Sequence, residues 1–93
     1  MDLERGTTIS QQLAAAGAAH SEYEMTALHG EYDHQWAEWY ANYLLAHDWN
    51  DIFPEAWNAA SLADALRQAD TAHRANAPQQ NWQDYYAEFF TRT

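Results

Sequence analysis

The residues of this chain whose types and spacing could do chemistry centre on one histidine and two acids. His20 precedes Glu24 by one helical turn, which on a helix places both side chains on one face. Asp33 and His34 follow shortly afterwards and could approach from a second helix. Helical bundles present histidine and carboxylate ligands to metals with this spacing. The pattern raises one alternative function, a metal- or small-molecule-binding bundle using His20, Glu24, Asp33 and His34.

Other catalytic constellations are missing from the sequence. The chain contains no cysteine, and Ser10, Ser21 and Ser61 do not lie in a glycine-flanked nucleophile elbow. A glycine-rich phosphate loop is also absent. A packed four-helix core in so short a chain leaves little room for a substrate pocket of roughly 300 Å³. We therefore predict a protein that is not an enzyme, with no catalytic residues and no cofactor.

The charge balance is strongly acidic. Fourteen acidic residues face four basic ones, all of them arginine, for a net charge of −10. Binding to nucleic acid needs a basic stripe, so we expect no nucleic acid as a partner. Acidity favours solubility and permits a cationic partner. A weaker alternative is an acidic mimic of nucleic acid, and a salt-rich cytosol would favour the same composition.

Composition also limits the fold class and the location. Alanine is abundant, valine is absent, and the chain has only three glycines and two prolines, which favours helix over sheet. No run approaches the roughly 18 apolar residues of a membrane span, and the segment MDLERGTT lacks a signal-peptide core. We predict one soluble, cytoplasmic domain, residues 1–93, that does not contact a membrane.

An internal repeat organises the chain. The segment DHQWAEWYANYLL (33–45) aligns with QQNWQDYYAEFFT (79–91), so that Trp36 matches Trp82. The segment TISQQLAAAGAAH (8–20) aligns with SLADALRQADTAH (61–73), so that His20 matches His73. The copies therefore span 8–45 and 61–91, and the first has the longer internal connection. An aromatic linker, 48–60, separates them.

Each copy is predicted to form two helices. Hydroxyl, carboxylate and amide side chains mark the starts, and Gly30 and Pro78 mark two stops. A short helical turn is expected at Pro54 in the linker. The predicted helices are 8–29, 34–48, 61–76 and 81–92, and their predicted N-caps are Thr8, Asp33, Ser61 and Asn81.

Large aromatic residues line one face of the second helix in each copy, at the i, i+3, i+4, i+7 spacing of an amphipathic helix. A face repeated with the same spacing is typical of packing rather than of a ligand box. Since a helical hairpin cannot hide its own apolar stripe, two hairpins must dock. We predict an all-α four-helix bundle of two tandem hairpins related by a pseudo-two-fold axis. The residues assigned to its core, which also form its potential ligand face, are His20, Trp36, Tyr40, His73, Trp82 and Tyr86.

The segments AAHSEYE and DHQWAEWYANYLL resemble a signature of small uncharacterised bacterial helical proteins. In that signature an alanine-histidine-x-x-tyrosine-glutamate helix precedes an aspartate-x-x-tryptophan-x-x-tryptophan-tyrosine-alanine helix. The likeness covers about residues 9–45, and the second copy departs from it at Asn76, Ala77 and Tyr85. The resemblance implies a helical fold and no particular activity.

Residues that break the internal symmetry have no packing reason to differ, so they are the candidates for a localised function. They lie in the longer first connection and in the aromatic linker. Surplus aromatic residues exposed there would mark a contact surface. We therefore predict a small acidic interaction module that binds a protein partner or self-associates, for instance as a homodimer. The predicted surface residues are Tyr32, Trp49, Phe53 and Trp57.

Overall fold

Four α-helices make up most of the chain in a computed structural model that describes residues 2–53 and 56–92. They are α1 (Asp2–Thr26), α2 (Trp36–Ala46), α3 (Ala59–Asn76) and α4 (Trp82–Thr91), and a 3₁₀ turn covers Trp49–Asp51. The described ranges contain no strand. The predicted all-α four-helix bundle is confirmed. No helix within these ranges combines the length and the apolar character needed to cross a bilayer.

The helices pack mainly across the boundary between the two halves of the chain. The most extensive contacts join α1 to α4 and α2 to α3, and smaller contacts join the two helices within each half. This is the arrangement expected if each hairpin uses the other to exclude water from its apolar face. The pseudo-two-fold relation between the hairpins stays a prediction.

Aliphatic side chains from α1, α2 and α3 meet aromatic side chains from α4 and the linker in one buried cluster. Burying a side chain of this size contributes about 1.5–3 kcal/mol. The alanines among the core residues are small enough to let neighbouring helices approach closely. The largest fully buried side chains are Trp49, Phe90, Ile9, Leu13, Leu44, Leu62 and Leu66.

The first helix starts earlier than the sequence pattern indicates. It begins at Asp2, so Thr8 lies inside the helix and the predicted N-cap at Thr8 is wrong. Arg5 gives a tertiary reason for the extension. Its guanidinium lies 5.2 Å from the centre of the Phe53 ring, and it donates a long, 3.5 Å hydrogen bond to the Phe90 carbonyl. The extra turns of α1 thereby cover the end of α4.

The connection between α1 and α2 differs from the prediction at both ends. Helix α1 ends at Thr26 rather than at residue 29. His29 and Gly30 have positive φ angles of 53° and 84°, and the Gly30 N–H donates a 2.8 Å bond back to the Glu24 carbonyl. Helix α2 then runs from Trp36 to Ala46 instead of 34–48, with Gln35 rather than Asp33 at its N-cap.

Of the two N-caps predicted in the second half of the chain, the structure revises one and confirms the other. Asn58 is the N-cap of α3, and Ser61, the predicted cap, occupies the third helical position. The two side chains form a reciprocal capping box, in which Ser61 N–H donates to Asn58 Oδ1 at 2.8 Å and Asn58 N–H donates to Ser61 Oγ at 3.1 Å. Asn81 caps α4 as predicted by accepting from the Asp84 N–H at 3.2 Å.

The linker packs against the bundle through its aromatic rings. Trp49 is fully buried, so its prediction as a surface residue is wrong, and Phe53 and Trp57 are half-buried. All three rings pack against Phe90 of α4, at centroid distances of 5.1, 6.2 and 5.5 Å. Asn50 binds both the N–H and the carbonyl of Trp57. The turn predicted at Pro54 lies outside the described residues.

Two glycines of α1 provide a matched test of this packing. Alanine is a better helix former than glycine by about 1 kcal/mol, and a Cβ at Gly6 would meet nothing closer than 3.9 Å. At Gly17 the Cβ would stand 3.0 Å from the Trp82 ring. We expect Gly6→Ala to stabilise the protein by up to about 1 kcal/mol, and Gly17→Ala to lose that gain through overpacking. Urea unfolding measures both, and an equal gain from both variants would contradict the close approach of α1 to α4.

Candidate functional site

The structure brings three of the four predicted ligand residues together around His20. The His20 side chain is buried, with 7% of the residue exposed, and its Nε2 lies 3.0 Å from Asp33 Oδ2. Its Nδ1 lies 3.6 Å from Glu24 Oε1, one turn further along α1. His34 is not part of this cluster, because it is exposed and its ring packs edge-on against Tyr32.

The carboxylate of Asp33 sets the orientation of the imidazole. An ionised carboxylate only accepts hydrogen bonds, so in the neutral ring the contact assigns the proton to Nε2, which donates to Asp33. The Nδ1 atom is then left with a lone pair facing Glu24. The 3.6 Å separation between Nδ1 and Glu24 is longer than a hydrogen bond. His20 is therefore one end of a buried, oriented pair with Asp33, and Glu24 stands at its rim.

Aromatic rings enclose the imidazole on its remaining sides. The centroids of Trp39 and Tyr40 each lie 4.9 Å from that of His20, and Tyr23 lies at 6.0 Å. Trp39 in turn stacks on Tyr43, with an interplanar angle of 14°. These rings exclude water from a polar pair that would otherwise be solvated, so His20 and Asp33 need hydrogen-bond partners within the protein.

Asp33 also connects the site to the start of α2. Its second oxygen, Oδ1, accepts a 2.9 Å hydrogen bond from the Gln35 N–H, and its carbonyl accepts from the Trp36 N–H. Asp33 is itself buried, with 9% of the residue exposed. One carboxylate thus ties helix α1, through His20, to the turn from which α2 begins.

The geometry of the cluster is unfavourable for a shared metal ion. Asp33 and Glu24 face different nitrogens of the same ring, and these point in different directions. A metal bound to one nitrogen would therefore be reached by only one of the two carboxylates. Among the side chains that the structure describes, residues 5–53 and 56–92, no group of three histidines, cysteines, aspartates or glutamates is arranged to hold a metal. The cluster is built as an internal hydrogen-bonded network.

His73 occupies the corresponding position in the second half but has a different partner. Its ring packs on Tyr85 and Tyr86, at 5.2 and 6.3 Å, as that of His20 packs on Trp39 and Tyr40. Its Nε2 lies 2.7 Å from the Gln80 carbonyl, with no carboxylate in that role. Of these two histidines, it is His20, in the first half of the chain, that has a carboxylate partner.

The predicted aromatic core residues form a row that crosses between the halves. Trp36 packs on Tyr40, Tyr40 on Trp82 and Trp82 on Tyr86, all edge-on, at 5.9, 6.0 and 5.2 Å. Burial raises the pKa of Tyr40 to about 12, and the nearby charge of Glu24 adds to the effect. Burial likewise raises the pKa of Tyr86, whose hydroxyl donates to Asp70 at 3.0 Å. This row joins the two hairpins rather than lining a ligand box.

Large apolar side chains reach solvent in one part of the described chain. Met25 is 72% exposed and Tyr32 is 62% exposed, and they are the exposed large hydrophobic residues among residues 5–53 and 56–92, whose side chains the structure describes. Tyr32 lies at the surface as predicted. Sequence reasoning missed Met25, although its position is off the stripe formed by Ile9, Leu13, Ala16 and His20, which is the signal that could have placed it outside.

The basic residues of the protein are all engaged by its own groups. Three arginines pair with carboxylates and the fourth lies over a ring. Arg67 grips Glu38 through two nitrogens, and this contact lowers the pKa of Glu38. The other arrangements are Arg74 with Asp70 at 3.2 Å, Arg92 with Glu88 at 3.5 Å, and Arg5 over Phe53.

Exposed carboxylates without such a partner remain on the described surface. Glu22, Glu31, Asp48 and Asp51 are exposed, and no arginine or histidine pairs with them. The surface therefore presents unbalanced negative charge.

We expect Asp33→Ala to destabilise the protein by about 1–3 kcal/mol, because it leaves the buried His20 N–H without its acceptor. The exposed Asp51 of the linker provides the control, and Asp51→Ala should change the stability by less than about 0.5 kcal/mol. Urea unfolding followed by tryptophan fluorescence measures both. Equal, small effects would show that the His20–Asp33 pair does not hold the two helices together.

Burial of Tyr40 predicts a loss of stability in alkaline solution. The phenol ionises near pH 10.0 in the unfolded chain but only near pH 12 when folded, so ionisation favours the unfolded state as the pH rises through this interval. Tyr40→Phe removes the group that titrates. Its free energy of unfolding should fall less than that of the parent protein between these two pH values, as measured by urea unfolding. Parallel pH profiles for the two proteins would contradict the assignment.

No protein-family model, curated protein or solved structure matches this chain. The resemblance of its first half to small bacterial helical proteins therefore stays a prediction.

Proposed function

We propose that this protein is a small acidic helical binding module of the cytoplasm whose partner is a protein that carries basic side chains. The observation that carries the proposal is the distribution of charge. The chain has a net charge of −10. Three of its four arginines pair with its own carboxylates, and the fourth lies over an aromatic ring. Several exposed carboxylates remain for a partner to neutralise.

Charge of one sign steers a complementary partner during diffusion and opposes partners of the same sign. It acts on the association rate and on selectivity more than on final affinity. The basic groups of this module already face its own acids or rings, so they add little positive potential for an acidic protein. Unbalanced acidity therefore supports a basic partner and disfavours an acidic one.

Self-association has less support than a basic partner. Two copies of a chain with charge −10 repel each other. The linker aromatics that favoured a homodimer in the sequence are withdrawn into the bundle, Trp49 fully and Phe53 and Trp57 in part. A homodimer would therefore have to form without the anchors that first suggested it.

The contacts of His20 give little support to the alternative of a metal- or small-molecule-binding bundle. His20, Glu24 and Asp33 do meet, but Asp33 and Glu24 face different ring nitrogens. The imidazole is also enclosed by aromatic rings rather than open to a cavity. These contacts support a structural role for the cluster, and we propose neither a metal nor a catalytic function for it.

Selection from a library of random peptides of about a dozen residues tests the proposal, because short peptides report the chemistry that a binding surface prefers. Panning is done against the full chain with excess soluble polyglutamate, which removes peptides that bind any acidic polymer. We expect the surviving peptides to contain several lysine or arginine residues. Their affinity should fall by about tenfold or more between about 0.05 and 0.5 M NaCl, since salt screens such contacts.

Each selected peptide has a matched control, the same sequence with every lysine and arginine replaced by glutamine. The control peptides should not bind. Selection of neutral or acidic peptides, or binding that is unchanged by salt, would contradict a basic partner. Sedimentation of the free protein is run in parallel, because a stable dimer would revive self-association.

A further inference from the structure

We infer that the partner docks on one particular surface, formed by Glu22 and Met25 at the end of α1 together with Glu31 and Tyr32 in the connection to α2. We call it the 22–32 surface. It is expected to take a segment in which a large apolar side chain is flanked by lysine or arginine. This inference rests on the proposed function and adds the place and the chemistry of the contact.

The apolar part of the 22–32 surface is unusual for this protein. Met25 and Tyr32 are 72% and 62% exposed, whereas the other large hydrophobic residues of 5–53 and 56–92 are buried or partly buried. Exposed methionine and tyrosine supply adaptable, mixed apolar and polar contact area, and such residues are enriched at protein interfaces. They provide anchors on which a partner's apolar side chain can pack.

The acidic part of the same surface determines the sign of the partner. Glu22 precedes Met25 by three positions and therefore shares a face of α1 with it. Glu31, which immediately precedes Tyr32 in the chain, is also exposed. The chain has no lysine or arginine between residues 6 and 66. The positive charge of Arg67 interacts electrostatically with Tyr32, but the same guanidinium forms an ion pair with Glu38.

The negative charge around Met25 and Tyr32 also distinguishes a basic partner from a second copy of this chain. A second copy of this chain would bring Glu22 and Glu31 against the same residues or against other acids, and like charges facing each other across an interface are costly. A basic segment would instead neutralise both carboxylates while its apolar side chain covers Met25 or Tyr32. Charge complementarity therefore selects a basic partner over self-association at this surface.

Hydrogen bonds within the chain hold the 22–32 surface in place. Asp33 binds His20 on one side and the Gln35 N–H on the other. The Gly30 N–H donates to the Glu24 carbonyl, and the Glu31 N–H donates to the Leu28 carbonyl at 3.0 Å. A connection that is already ordered loses little conformational entropy when a partner binds. The carboxylate that distinguishes His20 from His73 thus fixes the segment that carries the anchors.

The repeat gives an independent reason to place function here. The second copy joins its helices through a shorter segment, RANAP, and packs without the additional residues. Packing of the bundle therefore does not require the extra length of the first connection. The surplus residues include both large exposed apolar side chains, so the asymmetric part of the fold is also its most accessible apolar part.

The test uses the basic peptides selected against the full chain and measures their affinity for variants by fluorescence anisotropy. We expect the double variant Met25→Ala, Tyr32→Ala to bind at least about tenfold more weakly, as for the loss of central anchors. Glu22→Gln with Glu31→Gln should also weaken binding and should reduce its salt dependence. Asp48→Asn with Asp51→Asn removes the same charge from the linker and is the control, with an expected change of less than about twofold.

The outcomes separate the surface from the function. All the substituted residues are exposed, and circular dichroism and melting temperature confirm that the variants fold. Peptides that bind the parent protein and the Met25→Ala, Tyr32→Ala variant equally would overturn the 22–32 surface while leaving a basic partner in place. Amide NMR shifts outside residues 20–35 would identify the true site in that case. Failure to select any basic peptide would overturn both proposals.

Discussion

The whole structure depends on one constraint, which is that neither helical hairpin can bury its own apolar face. The dominant contacts of the bundle consequently run between the halves, from α1 to α4 and from α2 to α3. The aromatic row through Tyr40 and Trp82 lies at this junction, and the linker folds its own rings against Phe90 at the end of α4. The bulk of the aromatic content is used to exclude water, which leaves few large apolar side chains for any other purpose.

The burial of His20 has consequences beyond the core. A polar ring among aromatic neighbours needs a hydrogen-bonding partner, and the partner comes from the connection rather than from a helix. Asp33 provides it and uses its other oxygen to bind the start of α2. In the second half His73 binds a backbone carbonyl instead. Both histidines therefore pack on aromatic rings of the following helix but differ in their polar partners, and the bonds of Asp33 hold the longer connection in a defined shape.

The composition of the surface follows from which residues are buried in the core and which are paired in salt bridges. The core contains most of the large apolar residues. Three of the arginines pair with carboxylates on their own or neighbouring helices, and Arg5 lies over the Phe53 ring. The remainder is a surface with unopposed acids and with Met25 and Tyr32 as its exposed apolar groups. The proposed recognition of a basic partner builds on this remainder, because the acids and the two exposed side chains are left over from the packing and pairing of the chain.

Sequence alone determined the features that depend on local spacing. The period of the apolar residues specified the helices and the bundle, the one-turn spacing placed Glu24 beside His20, and Asn81 was recognisable as a cap. Tertiary contacts decided the rest. Helix α1 extends past Thr8 because Arg5 reaches Phe53 and Phe90, and Trp49 is buried because the linker crosses the end of α4. A side chain's exposure depends on what lies opposite it, and a linear pattern of residue types does not contain that information.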